Sequence, residues 1–169
     1  KEEQTTGKNI GKNMCKIEQK LQRKHLIALS FFLPLLVMAG CCIVFGVQPF
    51  GDNSLLIIDG LHQYMPFYSV LYDKLKGVET LFYSFRSGLG INFLSLFSYY
   101  LSSPFNLLIL FFKKSQLNMA VSMIIVLKIA CSGMTAGIYF SSKSKKQGFS
   151  TVMISMAYAL SSYMVGYCW

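Results

Sequence analysis

The sequence predicts an all-α integral membrane protein, a polytopic bundle of transmembrane helices. Three observations predict this class. Of the 169 residues, 53% are hydrophobic and only 14% are charged, whereas soluble domains have about 25% charged residues. The apolar residues form long uncharged runs, and the mean hydropathy is +0.46, as expected where lipid is the solvent. These values exclude a disordered or collagen-like chain and argue against a small soluble enzyme.

Residues 1–25 are predicted to be a basic cytoplasmic arm. Residues 1–24 contain seven Lys or Arg against three Glu, within a chain of net charge +9. We expect the arm to lie in water beside anionic headgroups and His25 to be an interfacial residue. Nucleic-acid binding is the usual alternative for a basic arm, but this arm has no aromatic residues for base stacking and a hydrophobic run follows it directly. We therefore expect no nucleic-acid partner.

Residues 26–47 are predicted to be the first transmembrane helix. This run of 22 residues has no charge, and at about 1.5 Å per residue it covers a hydrocarbon core of about 30 Å. A cleaved signal peptide would have a shorter apolar region and a small-residue cleavage site, so we expect an uncleaved anchor. Because Lys and Arg beside a span stay in the cytoplasm, the amino terminus is predicted inside and Gln48 outside.

Residues 48–116 are predicted to form a structured outer loop that contains amphipathic and re-entrant helices. Residues 52–92 have no spanning signal and hold four of the seven acidic residues. Residues 61–75 place apolar side chains at helical spacing, which predicts an amphipathic helix on the membrane surface. Residues 87–92 are typical of a turn.

Residues 94–112 are apolar enough to span, but Pro104 lies near their middle. If they span, the next helix carries the three lysines at positions 143, 145 and 146 to the outside, against the positive-inside rule. If they dip into the membrane or lie along its surface, those lysines remain in the cytoplasm. The first interpretation leaves two lysines, at positions 113 and 114, in the cytoplasm, whereas the second leaves three there. The second interpretation is therefore favoured.

Residues 117–140 are predicted to be the second transmembrane helix, with Lys128 near its midpoint. A charge at that depth normally faces a bundle interior or a water-filled cavity. Gly133 and Gly137 have the spacing that allows helices to approach closely. Residues 141–150 are predicted to be a cytoplasmic loop and residues 151–169 a third, truncated transmembrane helix. We therefore expect an amino-terminal piece of a larger protein.

Motifs for metal, redox and nucleotide chemistry are absent from the sequence. The five Cys form no CxxC pair and are predicted to be packing residues. There is no P-loop, no GxSxG and no GxGxxG. The sequence does not support an ATPase or a Rossmann enzyme, and it predicts no metal site and no cofactor.

Asp59 is the main catalytic candidate. It follows the first predicted helix, where the headgroup of a lipid-linked substrate would lie, and a carboxylate there could act as general base towards an acceptor hydroxyl. His62 and Gln63 would follow on the next helical turn, near enough to hydrogen-bond a sugar or phosphate. Asp is also a good helix N-cap, and spacing alone favours that structural role.

Four motifs closely resemble the amino-terminal part of the YfhO family of large bacterial membrane proteins. The resemblance extends over residues 47–169, in the same order and at similar spacing. The motifs are PFGD at 49–52, HQYMPF at 62–67 after Asp59, SGLGINF at 87–93 and YYLSSPFNLL at 99–108. The resemblance implies a GT-C-like glycosyltransferase of the cell membrane. Such an enzyme takes a sugar from a polyprenyl-phosphate carrier and transfers it, on the outer face, to an envelope polymer such as lipoteichoic acid.

The resemblance also implies roles for particular residues. The functional Asp of the first outer loop in GT-C enzymes maps to Asp59, with Asp52 as the weaker candidate. His62, Gln63 and Tyr64 would line the donor or acceptor pocket, and Arg86 would face the carrier phosphate, because Arg suits phosphate oxygens. No acidic pair accompanies Asp59, so no divalent metal is carried over.

The implied partners are membrane lipid, the polyprenyl-phosphate sugar, the acceptor polymer and other membrane glycosylation components. Two further classes of function remain open. A transporter or flippase would use Lys128 and the break at Pro104 as parts of a substrate pathway. A non-catalytic assembly partner would use the outer loop to hold another membrane protein.

Overall fold

The computed structural model is mostly helical and describes residues 2–86, 88–143 and 148–167, with side chains described from residue 23 onward. The first helix, α1, runs from Glu2 to Val44, so it includes residues 2–25 of the predicted basic arm and most of the predicted span. It ends three residues before the predicted boundary at residue 47. Gly46 has a φ of +60°, a left-handed conformation that ends helices and that glycine adopts at little cost.

Contacts within the chain define two compact units. The first groups α1 up to Val37 with residues from Ile129 to Val165, and the second is built mainly from Met38–Lys128. The helices that follow α1 in the first unit are the carboxyl-terminal part of α4 (Leu117–Lys143), α5 (Phe149–Ala159) and α6 (Ser162–Tyr167) as far as Val165.

Small residues allow close helix packing in the first unit. A Cβ added at Gly133 would overlap the carbonyl oxygen of Ser30, and one added at Gly137 would lie 2.7 Å from the Ser30 hydroxyl oxygen. The close approach predicted from the spacing of these two glycines is therefore confirmed. Arg23 Nε also donates a hydrogen bond of 3.2 Å to Ser141 Oγ, joining α1 to α4.

The second unit contains short helices and one small hairpin. Its elements, in chain order, are a π-helical turn (Gly60–Tyr64), α2 (Met65–Leu75), β1 (Tyr83–Ser84), β2 (Ile91–Asn92), α3 (Phe93–Leu96), a second π-helical turn (Phe97–Leu101), two 3-10 helices (Pro104–Phe111 and Lys114–Gln116) and the start of α4. The strands pair antiparallel, with Tyr83 opposite Asn92.

Two sequence predictions for this region are confirmed at the level of secondary structure. A helical segment covers the predicted range 61–75, although its first turn is π-helical. The predicted turn, residues 87–92, includes the connection from β1 to β2, where Gly88 and Gly90 both have positive φ, but its last two residues form β2. A side chain at Gly90 would also overlap the ring of Tyr83. Ser87, which was part of that prediction, lies outside the described residues.

Residues 94–112 do not form one straight helix. The segments Phe93–Leu101 and Pro104–Phe111 are bent by 101°, an arrangement found in a broken span or a re-entrant loop. Buried hydrogen bonds hold the bend: Tyr68 Oη donates to Asn106 Oδ1 at 3.0 Å, and Asn106 Nδ2 donates to the Leu101 carbonyl at 3.1 Å. The Asn106 amide thus satisfies a carbonyl at the point where Pro104 provides no backbone N–H.

Within the described ranges 2–86, 88–143 and 148–167, two helical segments are long and apolar enough to cross a membrane, Arg23–Val44 and Lys114–Lys143, or three if the bent pair counts as one span. Helix α5 has 11 residues, or about 16 Å at 1.5 Å per residue, which is shorter than a hydrocarbon core. The third predicted span, residues 151–169, is thus interrupted after Ala159 in its described part. Predictions that rest on the side chains of residues 1–22, on Lys145 and Lys146, or on Cys168 lie outside the described residues.

Candidate functional site

Asp59 stands at the start of the first π-helical turn of the second unit. It has helical dihedral angles, φ −62° and ψ −35°, and its side chain makes no capping hydrogen bond. The helix-capping role that spacing alone favoured is therefore not the role of this carboxylate. A cap acts from an extended backbone conformation, which Asp59 does not have. Its side chain is exposed to solvent.

The residue before Asp59 has a strained backbone. Ile58 has a φ of +49° and is the one non-glycine residue with positive φ in the described chain. A β-branched side chain is a genuine outlier in this region, and such strain is concentrated at functional sites. The chain thus turns sharply just before the carboxylate and presents Asp59 at the head of the helix.

An aromatic cluster lies on the carboxyl-terminal side of Asp59. We define it as Tyr64, Phe67, Tyr99 and Tyr100. The Tyr100 ring contacts the other three, with centroid distances of 5.3 Å to Tyr64, 5.3 Å to Phe67 and 4.6 Å to Tyr99. Gln63 Nε2 donates a hydrogen bond of 3.2 Å to Tyr100 Oη. The cluster therefore joins the turn after Asp59 to the first arm of the bent pair.

Electrostatics connect Asp59 to this cluster. The pKa of Tyr64 is raised above its usual value, mainly by burial and then by the nearby Tyr100, Tyr99 and Asp59. Because like charges within a few ångströms disfavour ionisation, the Tyr64 hydroxyl stays protonated and can donate a hydrogen bond at neutral pH. Asp59, Tyr99 and Tyr100 therefore all act on the Tyr64 hydroxyl.

A second group of polar residues lies at the end of α2. We call it the ion-pair cluster, and its members are Asp73, Lys74, Glu79, Arg86 and Lys114. Arg86 Nη1 lies 2.6 Å from Asp73 Oδ2 and Arg86 Nε lies 2.8 Å from Glu79 Oε1. Lys114 Nζ lies 2.5 Å from the same Asp73 oxygen. Three cations and two anions leave the cluster with one excess positive charge.

Asp73 is the centre of the ion-pair cluster. Hydrogen bonds from Lys114 and, to a smaller extent, from Arg86 hold the pKa of the Asp73 carboxyl below its usual value, against the opposing effect of burial. The carboxylate is buried, whereas the side chains of Arg86 and Lys114 are 47% and 48% exposed. The cluster therefore presents two cationic side chains to solvent from one buried anchor.

Lys74 fastens the hairpin to α2. Its buried ammonium donates a hydrogen bond of 2.7 Å to the Tyr83 carbonyl and another to the Thr80 carbonyl. The same nitrogen lies 4.7 Å from the centroid of the Phe93 ring. A buried ammonium needs such compensation, so Lys74 is a structural residue and is not accessible to a substrate.

The structure brings some of the sequence-predicted site residues together and separates others. Tyr64 belongs to the aromatic cluster, Gln63 donates a hydrogen bond to it, and Asp59 contributes to the raised pKa of Tyr64. His62 and Asp52 are exposed, and Arg86 belongs to the ion-pair cluster. Among the described residues, no three His, Cys, Asp or Glu side chains are grouped as metal ligands.

Sequence reasoning missed Asp73, Lys114 and Tyr100 as neighbours of the predicted site. Each is distant in sequence from its partner: Asp73 and Lys114 are separated by 41 positions and Gln63 and Tyr100 by 37. The Tyr99-Tyr100 and Lys113-Lys114 doublets were visible in the sequence. Their partners depend on how the chain folds back after α2.

The apolar helices Arg23–Val44 and Lys114–Lys143, with the bent pair between them, define a helical membrane protein. The family model described as "Bacterial membrane protein YfhO" matches residues 30–168. The match covers most of the chain, so the chain belongs to the YfhO family, and the resemblance in the four motifs is confirmed. Neither the comparison with curated proteins nor the comparison with solved structures gave a match.

Proposed function

We propose that this chain is part of a GT-C-like glycosyltransferase of the bacterial cell membrane. It would transfer a sugar from a polyprenyl-phosphate carrier to an envelope polymer, such as lipoteichoic acid, on the outer face. The observation that carries the proposal is the exposed Asp59 carboxylate, which makes no capping hydrogen bond, follows the strained Ile58 and directly precedes the helical turn that contains Gln63 and Tyr64. Membership of the YfhO family is consistent with this role at the membrane.

In the proposed reaction Asp59 is the general base. It takes the proton of an acceptor hydroxyl while that oxygen attacks the anomeric carbon of the donor sugar. The bond between the anomeric carbon and the phosphate oxygen breaks, and the carrier leaves as polyprenyl phosphate. No nucleotide is required, because the donor sugar is already activated. Asp52, the other exposed acid of this loop, is the weaker candidate for the same role.

The neighbouring side chains would bind the substrates. His62, Gln63 and Tyr64 offer hydrogen-bond donors to sugar hydroxyls. Arg86 would face the carrier phosphate, and its ion pairs to Asp73 and Glu79 would hold the guanidinium in a fixed orientation. The excess positive charge of the ion-pair cluster favours an anionic headgroup. The carrier's hydrocarbon tail would lie in lipid.

The direct test is Asp59→Asn in the full-length protein. Sugar on the envelope polymers is measured by mass spectrometry after equal amounts of each variant have been confirmed in the membrane. The proposal expects a loss of at least about 100-fold, as is typical when a general base is removed. Glu18→Gln, which makes the same change of acid to amide in the arm, is the matched control and should leave the sugar unchanged. Asp52→Asn shows whether the weaker candidate contributes.

Transport of an envelope precursor is the second candidate, favoured by the 101° break between Phe93–Leu101 and Pro104–Phe111. Broken helices and charges at mid-membrane depth mark substrate pathways in transporters. Transport should respond to Lys128→Ala and tolerate Asp59→Asn, the opposite of the pattern for a glycosyltransferase. A non-catalytic assembly partner should tolerate both substitutions.

A further inference from the structure

Tyr99 is an unusually exposed member of the aromatic cluster. Its side chain is 80% exposed, whereas Leu101, two residues later, is fully buried. The Tyr99 ring contacts the Tyr100 ring at an interplanar angle of 68°, so the contact is edge-to-face and leaves most of the Tyr99 ring uncovered. The Tyr100 ring is in turn held by Tyr64 and Phe67. Tyr99 therefore presents a flat apolar surface on a fixed support.

The surroundings of this ring are polar. Gln63 donates its amide hydrogen to Tyr100 Oη, the Tyr64 ring contacts the Tyr100 ring, and Asp59 contributes to the raised pKa of Tyr64. A hydrocarbon chain would remove these groups from water and offer them no further hydrogen bonds, at a cost in desolvation. A ligand with one apolar face and a rim of hydroxyl groups would instead cover the ring and offer further hydrogen bonds to its neighbours.

A pyranose sugar has this character, because its axial C–H bonds form an apolar face and its hydroxyl groups lie around the edge. We propose that Tyr99 is the stacking platform for the pyranose ring whose transfer Asp59 assists. Gln63 and Tyr64 would bind the hydroxyl groups at the edge of that ring. The inference rests on the proposed glycosyltransferase function and adds to it a binding residue and a shape requirement for the substrate.

The test replaces Tyr99 in the full-length protein in isolated membranes. Rates are measured while the carrier-linked sugar extracted from the cells and the acceptor polymer are varied separately. Tyr99→Phe keeps the flat ring and should stay within about twofold of wild type. Tyr99→Leu and Tyr99→Ala should raise KM by about five- to tenfold, the size of an aromatic stacking contact. If KM rises for the carrier-linked sugar, the stacked ring is the donor, and if it rises for the polymer, the ring is the acceptor.

The chain offers a closely matched control in Phe85. Its ring is also 80% exposed and also rests edge-to-face on one tyrosine, Tyr83, at 4.8 Å. Phe85→Ala should therefore leave KM unchanged. If Tyr99→Leu behaves as wild type, the ring acts only through apolar bulk. If Phe85→Ala raises KM equally, the effect is not specific to Tyr99. Either result overturns the inference.

A second measurement does not depend on turnover. We expect saturation-transfer NMR with methyl glucoside, methyl galactoside and methyl N-acetylglucosaminide to show transfer from the wild-type protein to the protons of the sugar ring. This transfer should be lost in Tyr99→Leu. No transfer with any of the three probes would overturn the inference. Its failure is also distinguishable from failure of the proposed function. Activity that requires Asp59 but not Tyr99 overturns only the stacking role, whereas activity that tolerates Asp59→Asn overturns both.

Discussion

The Asp73 carboxylate lies where two distant parts of the chain meet α2. Arg86, in the connection between β1 and β2, and Lys114, just before α4, both contact its Oδ2 atom. A buried carboxylate with two cationic partners is stabilised in its charged form, and removal of one member of such a pair leaves the others uncompensated. At the scale of single residues, Asp73 is therefore the main electrostatic anchor of the second unit.

We expect Asp73→Asn to lower the free energy of unfolding by about 1–3 kcal/mol, between the values for exposed and buried ion pairs, because both partners are half-exposed. The folded-state pKa of Asp73 is lowered. Its contribution is therefore present above the pKa of the unfolded carboxyl, about 3.9, and is lost as the pH falls through the folded-state pKa. The measurement is thermal unfolding of the full-length protein as a function of pH. The difference in free energy of unfolding between wild type and Asp73→Asn should become smaller below about pH 4.

The exposed carboxylate of Asp52 provides the control for this prediction. Asp52→Asn should change the free energy of unfolding by no more than about 0.5 kcal/mol. A difference between wild type and Asp73→Asn that stays constant down to about pH 3 would contradict the electrostatic explanation. A difference that is absent at neutral pH would show that the ion pairs contribute nothing to stability.

At the scale of elements, the packing of α1 against α4 in the first unit depends on two glycines. Gly133 faces the Ser30 carbonyl and lies beneath the Pro34 ring, whose Cγ would be 3.0 Å from an added Cβ. Neither backbone carbonyl nor proline ring can move aside easily. A methyl group at this position must therefore separate the helices, with loss of the contacts around it.

We expect Gly133→Ala to destabilise the full-length protein by about 1–3 kcal/mol, the usual cost of overpacking, despite the better helix propensity of alanine. The measurement is thermal unfolding in detergent or nanodiscs. Gly40→Ala is the matched control, because Gly40 is also helical and an added Cβ there meets no atom within 4 Å. That variant should be neutral or slightly stabilised. Equal stability of the two variants would contradict the close approach at Gly133.

For the whole molecule, the bent pair decides the arrangement in the membrane. If Phe93–Leu101 and Pro104–Phe111 together do not cross, the chain crosses once between Lys76 and Lys143. If they cross, it does so twice. The number of crossings therefore determines the side of every later residue, including the lysine-rich segment after α4.

We predict that reporters fused after Lys76 and after Lys143 lie on opposite sides of the membrane, with the first outside and the second inside. The measurement is the activity of paired periplasmic-type and cytoplasmic-type reporters at each position. A reporter after Arg23 serves as the internal reference and should be inside. If the reporters after Lys76 and Lys143 are both outside, the bent pair is a full span and the positive-inside argument fails for this chain.

The sequence alone was sufficient for the class of protein, the family and the main helices. A long uncharged run is stable in lipid. Because lipid has no water to pair with backbone groups, such a run must form a helix, in which every backbone group is paired internally. The candidate spans Arg23–Val44 and Lys114–Lys143 were therefore visible from composition. The spacing of Gly133 and Gly137 also predicted a close helix contact, because residues four apart lie on one face of a helix.

Only the tertiary structure decided which side chains meet around Asp59 and Asp73. The partners of Asp73, Gln63 and Tyr68 lie 13 to 41 positions away. Such pairings depend on the path of the chain after α2. The structure also ruled out capping by Asp59, since that depends on backbone angles that composition does not encode. Local periodicity follows from short-range sterics and solvation, whereas the geometry of a site follows from long-range contacts that form only when the chain folds.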